Sequence, residues 1–395
     1  MKMILETRNN MTDQWQQERA HFPLLQQKTY LAAASTGLMP DYIYRAMRDY
    51  QDSRYLVGGN LSWNGMTTLE MMDWSKQMLA DMLGAKKENI AFGDNSSRML
   101  NLFTGGLDWQ KGDQVLLSAD CFISDRFAWQ ARQDIEPVFL PTRKGMLLPE
   151  DIAAAITPHT RAVSLCCAES STGFQADLAR IGALCREKGI WLCVDAVQSA
   201  GILPLDVQRM QIDFLVGNDY KWMMGFCGTG YACISDRLMQ ELVLWGAGWM
   251  SDTHRFDTDR KQLRLRADAG RFEMGYPNVA GIYGLGLAAE HYLALGAQNI
   301  ADYVGSLYEA LCEKVKASAG MRLRWEFPKQ NRSGLVYLDT DCPAQALQQY
   351  LEEQNIVVDQ KGDSLRISLH YFNNLEDIDR LIDAVKRYRR QEGIA

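Results

Sequence analysis

The chain has 395 residues, 47% of them hydrophobic and 23% charged, which suits a soluble globular protein of two domains sharing a sizeable core. Its formal net charge of −7 argues against a nucleic-acid-binding surface, and no apolar run reaches the length of a membrane span. The N-terminal stretch MKMILETRNNMTDQWQQER lacks the apolar core of a signal peptide. Nine cysteines form no CxxC pair, and Cys166, Cys167 and Cys193 fall inside apolar runs, so they read as reduced core thiols of a cytoplasmic protein. The five histidines include no HExxH, and no metal centre is expected.

In chain order, residues 12–22 read as a polar helix carrying Trp15 and Phe22, an N-terminal arm. Thr29-Tyr30-Leu31-Ala32-Ala33-Ala34-Ser35-Thr36-Gly37 is a short strand running into a small-residue turn. Residues 41–57 and 66–83 have helical spacing. Between them lies Gly58–Gly65, a glycine-bearing loop around Trp63 that is either an ordinary surface loop or a reach toward a partner subunit.

Glu88–Phe92 is a strand feeding Gly93-Asp94-Asn95-Ser96-Ser97, where hydroxyls and bare amides at a helix start make an anion site; an N-cap serine is the plainer alternative. Gly112–Leu117 is the next strand, followed by Phe122-Ile123-Ser124-Asp125. Arg161–Cys167 is a parallel strand, and 176–189 is a crossover helix. It leads to Ile190–Val194, a short apolar strand that delivers Asp195 to its C-terminal edge, with Gln198 three residues on. A second buried strand, Asp213–Gly217, ends at Asn218-Asp219-Tyr220-Lys221 and a glycine-rich turn, Gly225–Gly230.

Taken singly, Asp195 reads as an N-cap and Lys221 as a solvated surface residue. Together, at two neighbouring strand ends, they suit pyridoxal 5′-phosphate (PLP). That cofactor needs a lysine amine for its aldehyde and a carboxylate against its ring nitrogen.

VDAVQSAG, the DF strand and DYKWMMGFCGTG resemble the class V aminotransferase superfamily of fold-type I PLP enzymes, whose relatives include cysteine desulfurases, kynureninases and isopenicillin N epimerases. The resemblance implies an α/β fold: a mostly parallel central sheet sandwiched by helices, with a smaller α+β C-terminal domain. The domains are expected at 1–24 (arm), 25–285 (large, PLP-binding) and 286–395 (small), with a long apolar helix over 279–296 as the bridge.

The resemblance also implies site roles. Lys221 is the catalytic lysine. Ser96 and Ser97 occupy the phosphate-binding positions of the family's SGATEAxN pattern. Phe122 covers the ring face, as in kynureninases, where desulfurases place a stacking His. Asp195 faces the ring nitrogen, Gln198 the phenolate oxygen, and Tyr220 and Trp249 lean toward a kynureninase-like pocket. RFEMGYPN (271–278) resembles RFExGTPN, in which the Thr touches the neighbouring subunit's phosphate; here the position is Tyr276. Ser170 stands where relatives carry Asn. Arg366, in Ser364–Leu369 before His370, binds the substrate α-carboxylate, and Ser35 borders the substrate.

The expectation is therefore a homodimeric PLP enzyme acting on a small-molecule amino acid, first an aminotransferase. A β-lyase (kynureninase-like or C–S lyase) or epimerase is the alternative. A persulfide-forming desulfurase is disfavoured, because Asn355–Asp363 holds no Cys. From other classes, a nucleotide-dependent dehydrogenase is disfavoured by the lack of GxGxxG, and a non-catalytic PLP-fold protein by Lys221, Asp195 and Arg366 standing together.

Overall fold

The computed structural model describes residues 14–58, 62–63, 65–257, 259 and 261–394. Seven strands build the central sheet: β1 (Ile90–Gly93), β2 (Asp113–Ser118), β3 (Ile135–Leu140), β4 (Thr160–Cys166), β5 (Trp191–Asp195), β6 (Phe214–Asn218) and β7 (Gly230–Ile234). Their spatial order is β1-β7-β6-β5-β4-β2-β3. The pairs β6–β5, β5–β4, β4–β2 and β2–β3 are parallel, whereas β7 runs antiparallel to β1 and β6. Strands covered by helices on both faces must be apolar throughout, and β6 and β7 are buried at every residue.

The expected strands and helices lie within two residues of their observed bounds, as with the crossover helix Leu178–Lys188. Several elements escaped the sequence reading, among them the short helices Pro149–Ala155 and Asp236–Glu241 and the strands Met321–Leu323 and Asp359–Lys361, and two others besides. β3 is an edge strand interrupted by Pro137, which an edge tolerates. The 20-residue helix Ala297–Lys316 follows directly after Gly296 (φ 84°), which redirects the chain at the end of helix Val279–Leu295. That apolar helix packs on Thr68–Leu83 and Asp41–Leu56 and runs unbroken through residue 285, where the sequence reading divides the domains.

A second, antiparallel sheet orders Met321–Leu323, Leu335–Thr340, Ser364–Ser368 and Asp359–Lys361 side by side. The N-terminal segment is knitted into this end of the molecule. Thr29–Tyr30 pairs in parallel with Ile356–Val357, and Ser368 N–H donates to Leu31 O at 2.8 Å. Within the arm, residues 14–19 are helical; Trp15 stacks on Tyr303 at 4.6 Å, and Arg19 grips the buried Asp377 carboxylate through two bonds of 2.8 and 3.0 Å. The start of the expected arm helix lies outside the described residues, as does the Trp63 side chain; Ser62–Trp63 pairs with Met66–Thr67.

Both sheets meet at His370, which is fully buried and stacked between Trp222 (5.6 Å) and Phe372 (4.6 Å). Its Nδ1 accepts from the Tyr371 N–H at 2.9 Å, which leaves the proton on Nε2 to donate to Trp222 O at 3.1 Å. Burial lowers its pKa from 6.5 to about 4. A depressed folded pKa means that the unfolded chain takes up the proton first. Stability is therefore constant above about pH 6.5 and falls as pH drops toward 4, by up to roughly 3 kcal/mol from this group. Denaturant titrations from pH 7.5 to 4.5 should show this slope, and it should shrink in His370→Gln.

Candidate active site

The C-terminal ends of β1, β5 and β6 open on one cavity, lined by Asn95, Ser96, Ser97, Phe122, Asp125, Asp195, Val197, Asn218, Tyr220 and Lys221, among others. β5 ends at Asp195 and β6 at Asn218, so parallel pairing of these neighbours carries Asp195 and Lys221 to the same sheet edge. β1 ends at Gly93, and helix Ser96–Gly106 starts three residues later. The cap of that helix is Asn95, whose side chain accepts from Arg98 N–H at 2.8 Å. The serine-cap alternative therefore falls to Asn95, and Ser96 and Ser97 stand in the first turn, facing the cavity.

Asp195 Oδ1 accepts from Val197 N–H at 2.6 Å. Burial raises its pKa, opposed by that amide and by the Lys221 charge. Behind it stands Asp125, in the first turn of helix Ile123–Gln130 and only 2% exposed. Burial, with the Asp195 charge second, pushes the Asp125 carboxyl well above its usual range. The two carboxyls therefore stand close together in a site that disfavours charge on both, and the Lys221 charge favours the anion at Asp195. Cys166 Sγ lies 3.8 Å from Asp125, and one ligand atom from each of Asp125, Cys166 and Asp195 falls within 4.8 Å of the others. Glu169, also buried, is raised to about 7, chiefly by desolvation. Sequence reading did not single out Asp125 or Glu169. Its place in the first turn of a helix suits a solvated acid as well, so the sequence carried no signal for Asp125.

Lys221 Nζ sits 5.5 Å from the Phe122 ring centroid and 5.8 Å from that of Tyr220. Burial lowers its pKa, Asp195 opposes this, and Arg366 adds to it. The shift is in the direction of the neutral amine that nucleophilic attack requires. Phe122 is 42% exposed, so it stands at the mouth of the cavity and not in the core. The loop before Leu38 is pressed onto the lysine backbone. Gly37 N–H donates to Tyr220 O at 2.8 Å, and a Cβ at Gly37 would meet Lys221 O at 1.9 Å. Gly37→Ala should therefore displace Lys221, seen as weakened cofactor retention together with a lowered Tm.

Other expected residues are not among those lining the Lys221 cavity. The Gln198 amide donates to Ala34 O (3.1 Å), and its oxygen accepts from Trp222 Nε1 (2.7 Å), tying the 31–37 turn to the strand-end loop. Trp249 packs on Tyr276 (5.1 Å) and Phe256 (5.5 Å), with Tyr276 51% exposed; neither Trp249 nor Tyr276 lines the Lys221 cavity within one chain. Ser170 offers its backbone oxygen to Tyr337 OH. Arg366 is 4% exposed; its Nε and Nη2 donate to Asp359 Oδ2 (3.1 and 2.6 Å), and Nη2 also donates to Ser35 Oγ (2.6 Å).

The donor set fits PLP: a half-buried carboxylate, a buried lysine amine, an aromatic face and a helix N-terminus with hydroxyls, all in one cavity. Residues 29–381 match the family model described as aminotransferase class V. The chain belongs to that family. As a class V enzyme it is PLP-dependent, and it has relatives of two activities. It is 24% identical over 371 residues to the uncharacterized aminotransferase YcbU of Bacillus subtilis (strain 168), covering 94% of this chain and 97% of that protein. It is 25% identical over 388 residues to a probable cysteine desulfurase of Methanothermobacter thermautotrophicus, covering 92% and 95%. Among solved structures it is similar to a C-DES variant with glycine covalently linked to its PLP cofactor, with TM-score 0.85, 26% identity and coverage of 92% and 98%. The complex of the cystine C–S lyase C-DES with its product, cysteine persulfide, gives TM-score 0.84 with the same identity and coverage.

Proposed function

We propose that this class V enzyme acts at the α-carbon of an α-amino acid, with amino-group transfer as its reaction. The observation that carries the reading is the convergence of Asp195, Lys221 and the Ser96–Ser97 helix start on one cavity. When bound, PLP supplies an aldehyde for the substrate amine and a protonated ring that draws electrons from Cα. Asp195 would hold the proton on the ring nitrogen, the first turn of Ser96–Gly106 would hold the phosphate, and Phe122 would cover one ring face and exclude water. Lys221 Nζ would hold the cofactor and serve as the base that takes the Cα proton and returns it. Arg366 takes the α-carboxylate, for which a planar guanidinium is suited, and Ser35 borders the same pocket.

Phe122 cannot move a proton, and no histidine is among the residues lining the cavity, so Lys221 is the mobile base available there, and proton movement by one lysine suffices for amino transfer. The second reading, a β-eliminating C–S lyase, is favoured by the likeness to C-DES. A protein-bound persulfide is not part of either reading. Residues 355–363 carry no thiol, and Cys342 is 5% exposed, beside Asp341.

The test is a spectral screen of the holoenzyme against amino acids, including sulfur-containing and aromatic ones, with product analysis. Pyridoxamine phosphate plus a 2-oxo acid supports transfer. Pyruvate or alanine plus a released side chain would replace it with the lyase.

The assembly belongs to the same reading. Trp245, Phe256 and Tyr276 are exposed, and the Trp249–Tyr276 cluster does not reach its own Lys221 cavity. A homodimer that lends this cluster to the neighbouring site accounts for both. Light scattering should give a dimer down to low concentration; a monomer retaining full cofactor would contradict it.

A further inference from the structure

The guanidinium assigned to the substrate carboxylate already holds a carboxylate from its own chain. Asp359 and Arg366 are register partners on adjacent antiparallel strands, so the sheet itself sets their approach. Asp359 Oδ2 accepts from both Nε and Nη2 of Arg366, and Ser35 closes the triangle, donating to Asp359 Oδ1 at 2.8 Å while accepting from Nη2 at 2.6 Å. The Arg366 side chain is 5% exposed and that of Asp359 18%, so water screens the pair weakly. Three parts of the chain far apart in sequence meet here, and the contact is built from all three.

We propose that Asp359 is a specificity-determining residue: by pairing with Arg366 it lowers the site's affinity for carboxylates, and an incoming carboxylate must share or displace it. The inference rests on the reading of Arg366 as the carboxylate-binding residue. A site holding a lone arginine captures any small carboxylate. A site with a paired arginine demands further contacts, which a substrate joined covalently to the cofactor supplies and a stray acid does not. Asp359 thus filters from the pocket those carboxylic acids that cannot join the cofactor, while leaving substrates that are anchored at both ends. It also fixes the guanidinium plane by its Nε–Nη2 edge, which restricts how a second carboxylate can approach. Ser35 becomes the hydroxyl through which the two anions are kept apart.

The test is the calorimetric Kd of propionate, a carboxylate with no amine, for wild-type holoenzyme and for Asp359→Asn, which preserves shape and removes charge. Tightening on the order of tenfold is expected, with the gain lost when Arg366→Ala is added. An unchanged or weaker Kd, or a gain that survives Arg366→Ala, would overturn the inference. If Asp359→Asn does not fold, Asp359→Ser serves with the same expected direction. Loss of the proposed function is separable. A wild-type enzyme that gives no spectral change with any amino acid removes that reading, while tighter propionate binding through Arg366 still establishes the filter.

Discussion

Replacing Lys221 by alanine is expected to reduce turnover by at least about 10³-fold, within the range for removing a positioned base and more where the base also carries the cofactor. The cofactor should remain weakly bound, because the helix start at Ser96–Ser97 and the Asp195 carboxylate are untouched by the change. Equilibrium dialysis against PLP, run beside the activity assay, separates the two effects. Added ethylamine should restore part of the activity if the amine alone is missing. A Lys221→Ala protein with near-wild-type turnover would remove the lysine from the chemistry.

Arg366→Ala should weaken amino acid binding by a few kcal/mol, the range for truncating one partner of a buried charge pair, with little loss of PLP. The structure adds a reason for the upper part of that range. Removing the guanidinium leaves Asp359, which it neutralises, facing the substrate's carboxylate. Adding Asp359→Asn should therefore recover part of the loss. Spectral titrations with an amino acid and with the corresponding amine lacking the carboxylate are the check. Equal responses of the wild-type enzyme to the two would take Arg366 out of this role.

The sheet was legible because its strands are short apolar runs ending at polar residues. Asp195 after Trp191–Val194 and Lys221 after Phe214–Asn218 were visible as paired strand ends, and parallel pairing of β5 with β6 brings them together. Helix starts were legible to within a residue or two, yet the capping residue was not: both Asn95 and Ser96 suit a cap, and Asn95 takes it. Two kinds of feature were out of reach. Asp125 is polar, lies near a helix start and would normally be solvated; only packing against Asp195 and Cys166 reveals it as a buried acid. Asp359 lies in a three-residue strand, too short to carry a periodic signal, and its partner is set by the register with Ser364–Ser368. Gln198 and Trp249 have partners within the chain that position alone did not indicate. Gln198 bonds to Ala34 and Trp222, and Trp249 packs with Tyr276 and Phe256. For Trp249, the proposed dimer is what would bring it to a cofactor.

The most direct measurement is the visible spectrum of the purified protein, followed by borohydride reduction and peptide mapping. The account predicts a yellow protein whose visible band vanishes on reduction, with the pyridoxyl label recovered on the peptide bearing Lys221. A protein that stays colourless after PLP is added, or a label recovered on another lysine, would contradict it.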